Sequence, residues 1–230
     1  MIKDKVLKLY DDVERVRSRC DRDYPRIVLV SKFVAVEEIR EAYHAGHRVF
    51  GENRVQELTQ KIKYLPSDIE WHFVGHLQTN KVKDVVAKVT LIHSVDSLRL
   101  AETINEEAQS KGVRQACLLQ INTSREESKF GIAVDEFEDT YNLIKDLQHI
   151  DIKGLMTIGA FTDDQNIIRK NFCELRNLRD TVLKNNKKSQ CRELSMGMTH
   201  DWHIALEEGA TYLRIGTLVF GERKQHEKDQ

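Results

Sequence analysis

Residues 26–33 of this chain read Arg-Ile-Val-Leu-Val-Ser-Lys-Phe, an apolar run that ends in a lone lysine instead of a turn residue. The consecutive apolar residues 27–30 predict a buried strand. A lysine at the carboxyl end of such a strand lies partly out of water, and desolvation favours the neutral amine that attacks an aldehyde. The other interpretation is a solvated charge at the rim of the core. Lys32 is therefore a candidate covalent attachment point.

Short apolar runs alternate with longer amphipathic segments along the rest of the chain. The strand-like runs lie at residues 27–30, 49–50, 71–74, 91–94, 116–121, 154–158, 193–196 and 212–215. Helical spacing of apolar residues covers 36–45, 53–64, 80–87, 97–111, 134–147, 166–183 and 201–208, and an extra N-terminal helix over 2–19 precedes the first strand. This alternation predicts a (β/α)8 TIM-type barrel, although an open doubly wound sheet gives the same local pattern. Only closure of the sheet separates the two folds.

The composition limits the number of domains and the kinds of partner. With 230 residues and 40% hydrophobic content, we expect a single α/β barrel domain over residues 1–230. The 36 basic and 37 acidic residues nearly cancel, which argues against a nucleic-acid or membrane partner. No signal core or membrane span of ~20 apolar residues is found, so we expect a cytoplasmic protein. Reduced, packing thiols are expected of the four widely spaced cysteines, which are Cys20, Cys117, Cys173 and Cys191.

The barrel prediction requires functional residues at the carboxyl ends of the strands, with phosphate bound after the seventh and eighth strands. The seventh strand leads into Ser195-Met-Gly-Met-Thr-His-Asp201, whose hydroxyls and glycine can present donors to an anion. The eighth leads into Arg214-Ile-Gly-Thr217. Each turn alone is an ordinary strand-to-helix connection, but together they indicate an anion site. Pyridoxal 5′-phosphate, an aldehyde that carries a phosphate, fits both this site and an unprotonated lysine across the mouth.

Several longer motifs occur in order and resemble those of one family. They are Leu29-Val-Ser-Lys32, Phe50-Gly-Glu-Asn53, Val55-Gln-Glu57, Glu70-Trp-His-Phe-Val-Gly-His-Leu-Gln-Thr-Asn-Lys81, Ser128-Lys-Phe-Gly131, Gly154-Leu-Met156, Leu194-Ser-Met-Gly-Met198 and Arg214-Ile-Gly-Thr217. Over residues 26–223 the chain resembles the YggS/PROSC family of pyridoxal phosphate homeostasis proteins, which is similar in fold to the barrel domain of alanine racemase. The resemblance implies pyridoxal 5′-phosphate as cofactor, held as an internal aldimine without established catalysis, and apo forms of pyridoxal phosphate enzymes as candidate partners.

The resemblance also assigns roles to individual residues. Lys32 matches the family's Schiff-base lysine, Asn53 lies beside the cofactor ring, and Arg214 matches the arginine that faces the pyridine nitrogen. A guanidinium does not protonate that nitrogen as a carboxylic acid does, so carbanion chemistry is poorly supported. The residues that match the two phosphate-binding turns are Ser195, Gly197, Thr199, Gly216 and Thr217. Thr199 replaces a common serine, and His200 and Trp202 depart from the pattern, so we expect an altered site entrance.

Other polar residues were weighed for a functional role. His72 and His76 have a spacing that could hold a metal, but no third ligand is evident, and we expect His72 to line the barrel mouth. Lys129, in the loop after the fifth strand, is either a second aldehyde acceptor or a solvated loop lysine. Glu52 and Asp201 would suit an acid/base pair, but nothing in their spacing shows that they meet. The sequence therefore assigns no metal site and no catalytic residue.

Three functions remain open at this point: a non-catalytic carrier of pyridoxal phosphate, an amino-acid racemase, and a phosphosugar aldolase that uses Lys32 as its Schiff-base residue. Alanine racemase takes a second base, a tyrosine, from a separate all-β domain. The chain ends at Gln230, so we expect no such domain, at most weak racemisation, and a monomer. The carrier is the favoured function.

Overall fold

Eight parallel strands close into a barrel in the computed structural model, which describes residues 1–126 and 128–222. The barrel strands are β1 (Arg26–Val30), β2 (Val49–Glu52), β3 (Glu70–Phe73), β4 (Leu91–Val95), β5 (Gln115–Asn122), β7 (Ile150–Met156), β8 (Glu193–Ser195) and β9 (Tyr212–Ile215). A two-residue strand, β6 (Ile132–Ala133), pairs with the end of β5. The ring closes because β4 pairs with β5 and β9 pairs with β1. This closure confirms the barrel and excludes the open doubly wound sheet.

Helices cover the outside of the barrel. They are α1 (Ile2–Cys20), α2 (Val36–His44), α3 (Val55–Tyr64), α4 (Leu98–Ser110), α5 (Phe137–Ile144), α6 (Gln165–Asn185), α7 (Trp202–Glu207) and α8 (Thr217–Phe220). The N-terminal helix α1 packs on α2, α7 and α8, and its buried residues recur every three or four positions: Ile2, Val6, Leu9 and Val13. None of the helices in the described part of the chain combines the length and the apolar composition of a membrane span.

The short strand β6 and the helix α8 were not predicted from the sequence, and two predicted elements differ in form or extent. Residues 80–87 do not form an α-helix, and a 3₁₀ helix, Thr79–Asp84, lies there instead. The segment holds several β-branched valines, which lower helix propensity, and Ala87 ends it with a left-handed backbone (φ 65°). Strand β7 begins at Ile150, four residues before the predicted start. Its first half alternates apolar and charged residues, so it lacks the continuous apolar run by which the other strands were found.

The strand side chains alternate between two cores, as the period of two requires. Residues that point outward, such as Leu29, Phe50 and Phe73, pack under the helices in the larger core. A smaller core fills the barrel and consists of Val28, Val74, Leu91, Leu118, Met156 and Tyr212. Because the strands are buried on both faces, most of their sequences are continuous runs of apolar residues.

A column of four buried polar side chains runs through the barrel interior. The Nη1 group of Arg214 donates to Ser195 Oγ (2.7 Å), and Ser195 Oγ lies 2.8 Å from His93 Nδ1. The Nε2 atom of His93 in turn lies 2.9 Å from Nδ1 of His72. The column therefore connects the carboxyl-terminal layer of the barrel with the layer below it.

Both imidazoles of this column are neutral near pH 7. Burial lowers the pKa of His72 to about 3. Burial, with the charges of His72 and Arg214 added, holds the pKa of His93 well below its ordinary value. Ser195 accepts from Arg214, so its own proton is available to His93 Nδ1, and His93 then donates from Nε2. This assignment leaves the last proton on His72 Nε2, which has no hydrogen-bond partner among the described residues.

The expected position of His72 at the barrel mouth is wrong. Its side chain is fully buried, and its backbone pairs in register with Gly51 and Leu91, one layer below the strand ends. His72 is the third of the four residues of β3, and its side chain faces the barrel interior below the rim. Both His72 and His93 thus belong to the barrel core.

The neutral histidines predict a loss of stability in acid. The unfolded chain binds protons at these residues below about pH 6.5, whereas the folded chain does so only near the depressed pKa values, so stability rises with pH across this window. In the His72→Gln variant, the slope of the free energy of unfolding against pH should be smaller by up to about 1.4 kcal/mol per pH unit. Urea unfolding at several pH values between about 4 and 7 measures this slope. The exposed His44→Gln variant should keep the original slope, and an unchanged slope in His72→Gln would contradict the assignment.

Candidate functional site

Lys32 lies at the barrel mouth, two residues after the end of β1. Along this strand Val28 and Val30 contact the inner core, whereas Leu29 packs outside. Ser31, just after the strand, directs its hydroxyl to Glu52, and Lys32 follows in the turn. The Lys32 side chain is half-buried, and its ammonium group lies 5.0 Å from the centre of the Phe33 ring. An amine is therefore available at the mouth of the barrel.

A buried ion-pair cluster lies directly behind this position. Lys61 of α3 donates to Glu52 Oε1 (2.7 Å), to Glu57 Oε2 (2.8 Å) and to the backbone carbonyl oxygen of Ser31 (2.7 Å). The Ser31 hydroxyl also donates to Glu52 Oε1 (2.7 Å). Burial raises the pKa of Glu52, and the charge and hydrogen bonds of Lys61 oppose that rise. We call these three charged residues the Glu52–Lys61–Glu57 cluster.

The residue after Lys32 is also bound to this cluster. Phe33 has a left-handed backbone (φ 60°), which is uncommon for a residue with a bulky side chain. Its N–H group donates to Glu57 Oε2 (2.8 Å), and the guanidinium of Arg54 lies 4.7 Å from the centre of its ring. The sequence analysis assigned no role to Glu57, which lies in one of the quoted motifs, or to Lys61. Their i,i+4 spacing is visible on α3, but such a pair usually lies on a helix surface.

Val30 of β1 pairs with Gly51 of β2. Lys32 and Asn53 each lie two residues further along, so Asn53 follows β2 at the same register as Lys32 follows β1. Its Oδ1 atom is buried and has no hydrogen-bond partner among the residues that the structure describes. Gly75 lets the next loop pack directly on Asn53, because a Cβ at Gly75 would lie 2.2 Å from the Asn53 carbonyl oxygen. Buried polar atoms are rarely left unpaired, so Asn53 Oδ1 suits a ligand that donates a hydrogen bond.

The two turns predicted to bind phosphate meet at the mouth. The N–H group of Arg214 donates to the Gly197 carbonyl oxygen (3.0 Å). Gly197 adopts φ 88°, and a Cβ there would lie 2.5 Å from Ala205 Cβ, so only glycine fits. Met198 donates its N–H to Asp201 Oδ1 (2.6 Å), which closes the first turn on itself. This turn is a rigid backbone cradle.

The hydroxyls of the two turns differ in position. Thr199 is half-buried and Thr217 is exposed, so both are accessible, and Gly216 is the N-cap of α8. The Ser195 hydroxyl is directed into the barrel, where it contacts Arg214 and His93. The Ser195 hydroxyl therefore helps to hold the Arg214 guanidinium in position by accepting its hydrogen bond.

Arg214 remains a cation at the centre of this arrangement. Burial lowers its pKa to about 10, with the charge of Asp201 acting in the opposite direction. Its Nη2 group donates to the Thr157 carbonyl oxygen (2.8 Å), which holds the guanidinium in place beside Ser195.

The site residues come from four neighbouring strands of the ring. In spatial order these are β8, β9, β1 and β2, which carry Ser195, Arg214, Lys32 and Asn53 at or just after their carboxyl ends. Closure of the sheet thus places the residues predicted to bind the cofactor at the carboxyl ends of adjacent strands, although they are widely separated in the sequence.

The remaining candidates have other partners. Lys129 is not simply solvated, because Nζ donates to Glu126 Oε1 (2.6 Å) and to the Gly159 carbonyl oxygen (2.9 Å). Glu52 and Asp201 belong to separate networks and do not form the acid/base pair considered above. His76 contacts Asp96. Among the described residues, no group of three or more potential ligands could hold a metal, and the four cysteines are free thiols.

Comparison with known proteins agrees with this geometry. Residues 7–224 match the family model for the N-terminal domain of alanine racemase. The chain is 42% identical over 218 residues to a pyridoxal phosphate homeostasis protein of Aquifex aeolicus. The alignment covers 92% of this chain and 95% of that relative. It is 40% identical over 238 residues to the human protein of the same name, and this alignment covers 94% of this chain and 84% of the human protein.

A solved structure agrees as well. PipY of Synechococcus elongatus, solved with pyridoxal phosphate bound, superposes with a TM-score of 0.84 at 33% identity and covers 96% of this chain and 100% of its own. The sequence resemblance is thereby confirmed over almost the whole chain. This chain belongs to the YggS/PROSC family of pyridoxal phosphate homeostasis proteins, within the alanine racemase N-terminal domain fold.

Proposed function

We propose that this protein binds pyridoxal 5′-phosphate through Lys32 and takes part in the homeostasis of that cofactor, including its delivery to apo-enzymes. The observation that carries the proposal is the arc of Lys32, Asn53, Arg214 and two glycine turns on four neighbouring strands. The relatives named for pyridoxal phosphate homeostasis and the PipY structure with the cofactor bound support the choice of ligand. They also favour it over a phosphosugar substrate.

The residues of the arc fit the chemical groups of this cofactor. When bound, the cofactor would supply an aldehyde that can condense with the neutral amine of Lys32, with loss of one water. The cradle at Gly197, with the hydroxyls of Thr199 and Thr217 and the turn at Gly216, can donate hydrogen bonds to a phosphate. Asn53 accepts a hydrogen bond at the ring side. Each group therefore has a binding partner of matching chemistry.

Arg214 limits what the bound cofactor can do. Its guanidinium would face the ring nitrogen as a hydrogen-bond donor but would keep its proton near pH 7, because its pKa remains about 10. The ring then withdraws electrons weakly, and removal of a substrate proton is poorly supported. We therefore propose a carrier and not a racemase.

Attachment at Lys32 predicts an absorption band near ~420 nm when pyridoxal phosphate is added to the purified protein. Borohydride reduction followed by peptide mapping should place the label on Lys32. The Lys32→Ala variant should keep its thermal midpoint but lose both the band and the label, because the lysine lies at the rim of the core. Lys129→Ala serves as the control and should retain both. A label spread over Lys129 and surface lysines would disprove the assignment.

The carrier proposal also predicts that amino acids are not turned over through Lys32. With L-alanine and added pyridoxal phosphate, chiral chromatography should show no more D-alanine than in a parallel reaction with Lys32→Ala. Racemisation that requires Lys32 would instead identify the protein as an enzyme.

We further propose that the protein functions as a cytoplasmic monomer. Among the described residues, barrel closure leaves no long open strand edge for pairing with a second copy. The free thiols fit a reducing compartment. Light scattering at micromolar concentration should give the chain mass of 26.8 kDa, and a mass of twice this value would contradict the monomer.

A further inference from the structure

We infer that Glu57 and Lys61 are positioning residues that hold the backbone of Lys32 in the conformation needed for attachment of the cofactor. This inference rests on the proposed function and names the residues that prepare its attachment site. Neither residue was assigned a role from the sequence.

The two peptide groups that flank Lys32 are both bound by this pair. On one side, the Ser31 carbonyl oxygen accepts from Lys61 Nζ (2.7 Å). On the other, the Phe33 N–H group donates to Glu57 Oε2 (2.8 Å). A direct contact between Lys61 and Glu57 (2.8 Å) joins the two ends. The backbone on both sides of Lys32 is thus tied to one rigid element, α3.

The pair acts through Lys32 and not as part of the ligand-binding surface. Lys61 is 6% exposed, and its three hydrogen bonds use all the protons of an ammonium group. Glu57 uses Oε2 for both of its contacts, while its buried Oε1 has no partner among the described residues. Loss of Glu57 Oε2 would therefore leave both the Phe33 N–H group and one N–H group of Lys61 without their hydrogen-bond acceptor.

The conformation at Phe33 requires external support. A left-handed backbone is unfavourable for a residue with a Cβ, and such conformations persist where surrounding contacts hold them. The Glu57 contact is a charge-assisted hydrogen bond to this residue, of the stronger kind. Without it, the chain after Lys32 would relax, and formation of the imine would have to restore the bound geometry.

Three variants separate the hydrogen bond from the charge and from general effects on helices. Glu57→Ala removes the acceptor for Phe33, whereas Glu57→Gln keeps a carbonyl acceptor without the charge. Glu41→Ala is the control, because Glu41 is an exposed carboxylate on the neighbouring helix α2. Glu57 is itself partly exposed (20% of its side chain), so all three variants are expected to fold.

The measurements are the dissociation constant for pyridoxal phosphate, from the absorbance of the imine, and the hydrogen-exchange rate of the Phe33 amide without cofactor. Glu57→Ala should raise both values about tenfold, as expected for loss of one hydrogen bond to a charged group. Glu57→Gln should restore both to within about threefold of the unsubstituted protein. Glu41→Ala should change neither, and thermal midpoints confirm folding.

The outcomes separate this inference from the function on which it rests. Equal dissociation constants in Glu57→Ala and the unsubstituted protein would overturn the positioning role, while cofactor binding through Lys32 would stand. A dissociation constant raised equally in the alanine and glutamine variants would also overturn it, because no rescue by the acceptor would be present. Absence of a reducible imine on Lys32 in the unsubstituted protein would overturn the proposed function and this inference together.

Discussion

Closure of the parallel sheet is the constraint on which the rest of the structure depends. Pairing of β4 with β5 and of β9 with β1 brings the carboxyl ends of all eight strands to one mouth. Strand β9, which carries Arg214, thereby becomes a neighbour of β1, which leads into Lys32, and β2, which leads into Asn53, lies on the other side of β1. An open sheet of the same strands would lack the pairing between β4 and β5 and would not enclose an interior.

A closed interior imposes a cost on every polar side chain within it. Arg214 is tolerated because both of its terminal nitrogens have acceptors, Ser195 and Thr157. The neutral histidines extend this network downward to His72 Nε2, which has no hydrogen-bond partner in the part of the chain that the structure describes. The column thus fixes the position of the arginine while keeping a single positive charge in the barrel.

The sequence predicted the strand count and the site with different success, for physical reasons. Buried parallel strands are apolar on both faces, so most are visible as continuous runs, whereas β7 begins in an alternating stretch and was found four residues late. Lys32 and Gly197 were identified because a lone lysine and a glycine stand out in their turns. Glu57, Lys61 and His93 were assigned no role, because the same residue types are common on helix surfaces and in ordinary strands.

By itself, the sequence determined the alternation of strands and helices, the lysine at the end of β1 and the residue types of the two glycine turns, because each depends on neighbours within a few residues. Only the tertiary structure decided which side chains meet. Lys61 reaches the carbonyl group 30 residues before it, and His93 reaches a hydroxyl 102 residues after it. Such contacts depend on strand register and ring closure, which arise from pairing between distant segments and leave no local pattern in the chain.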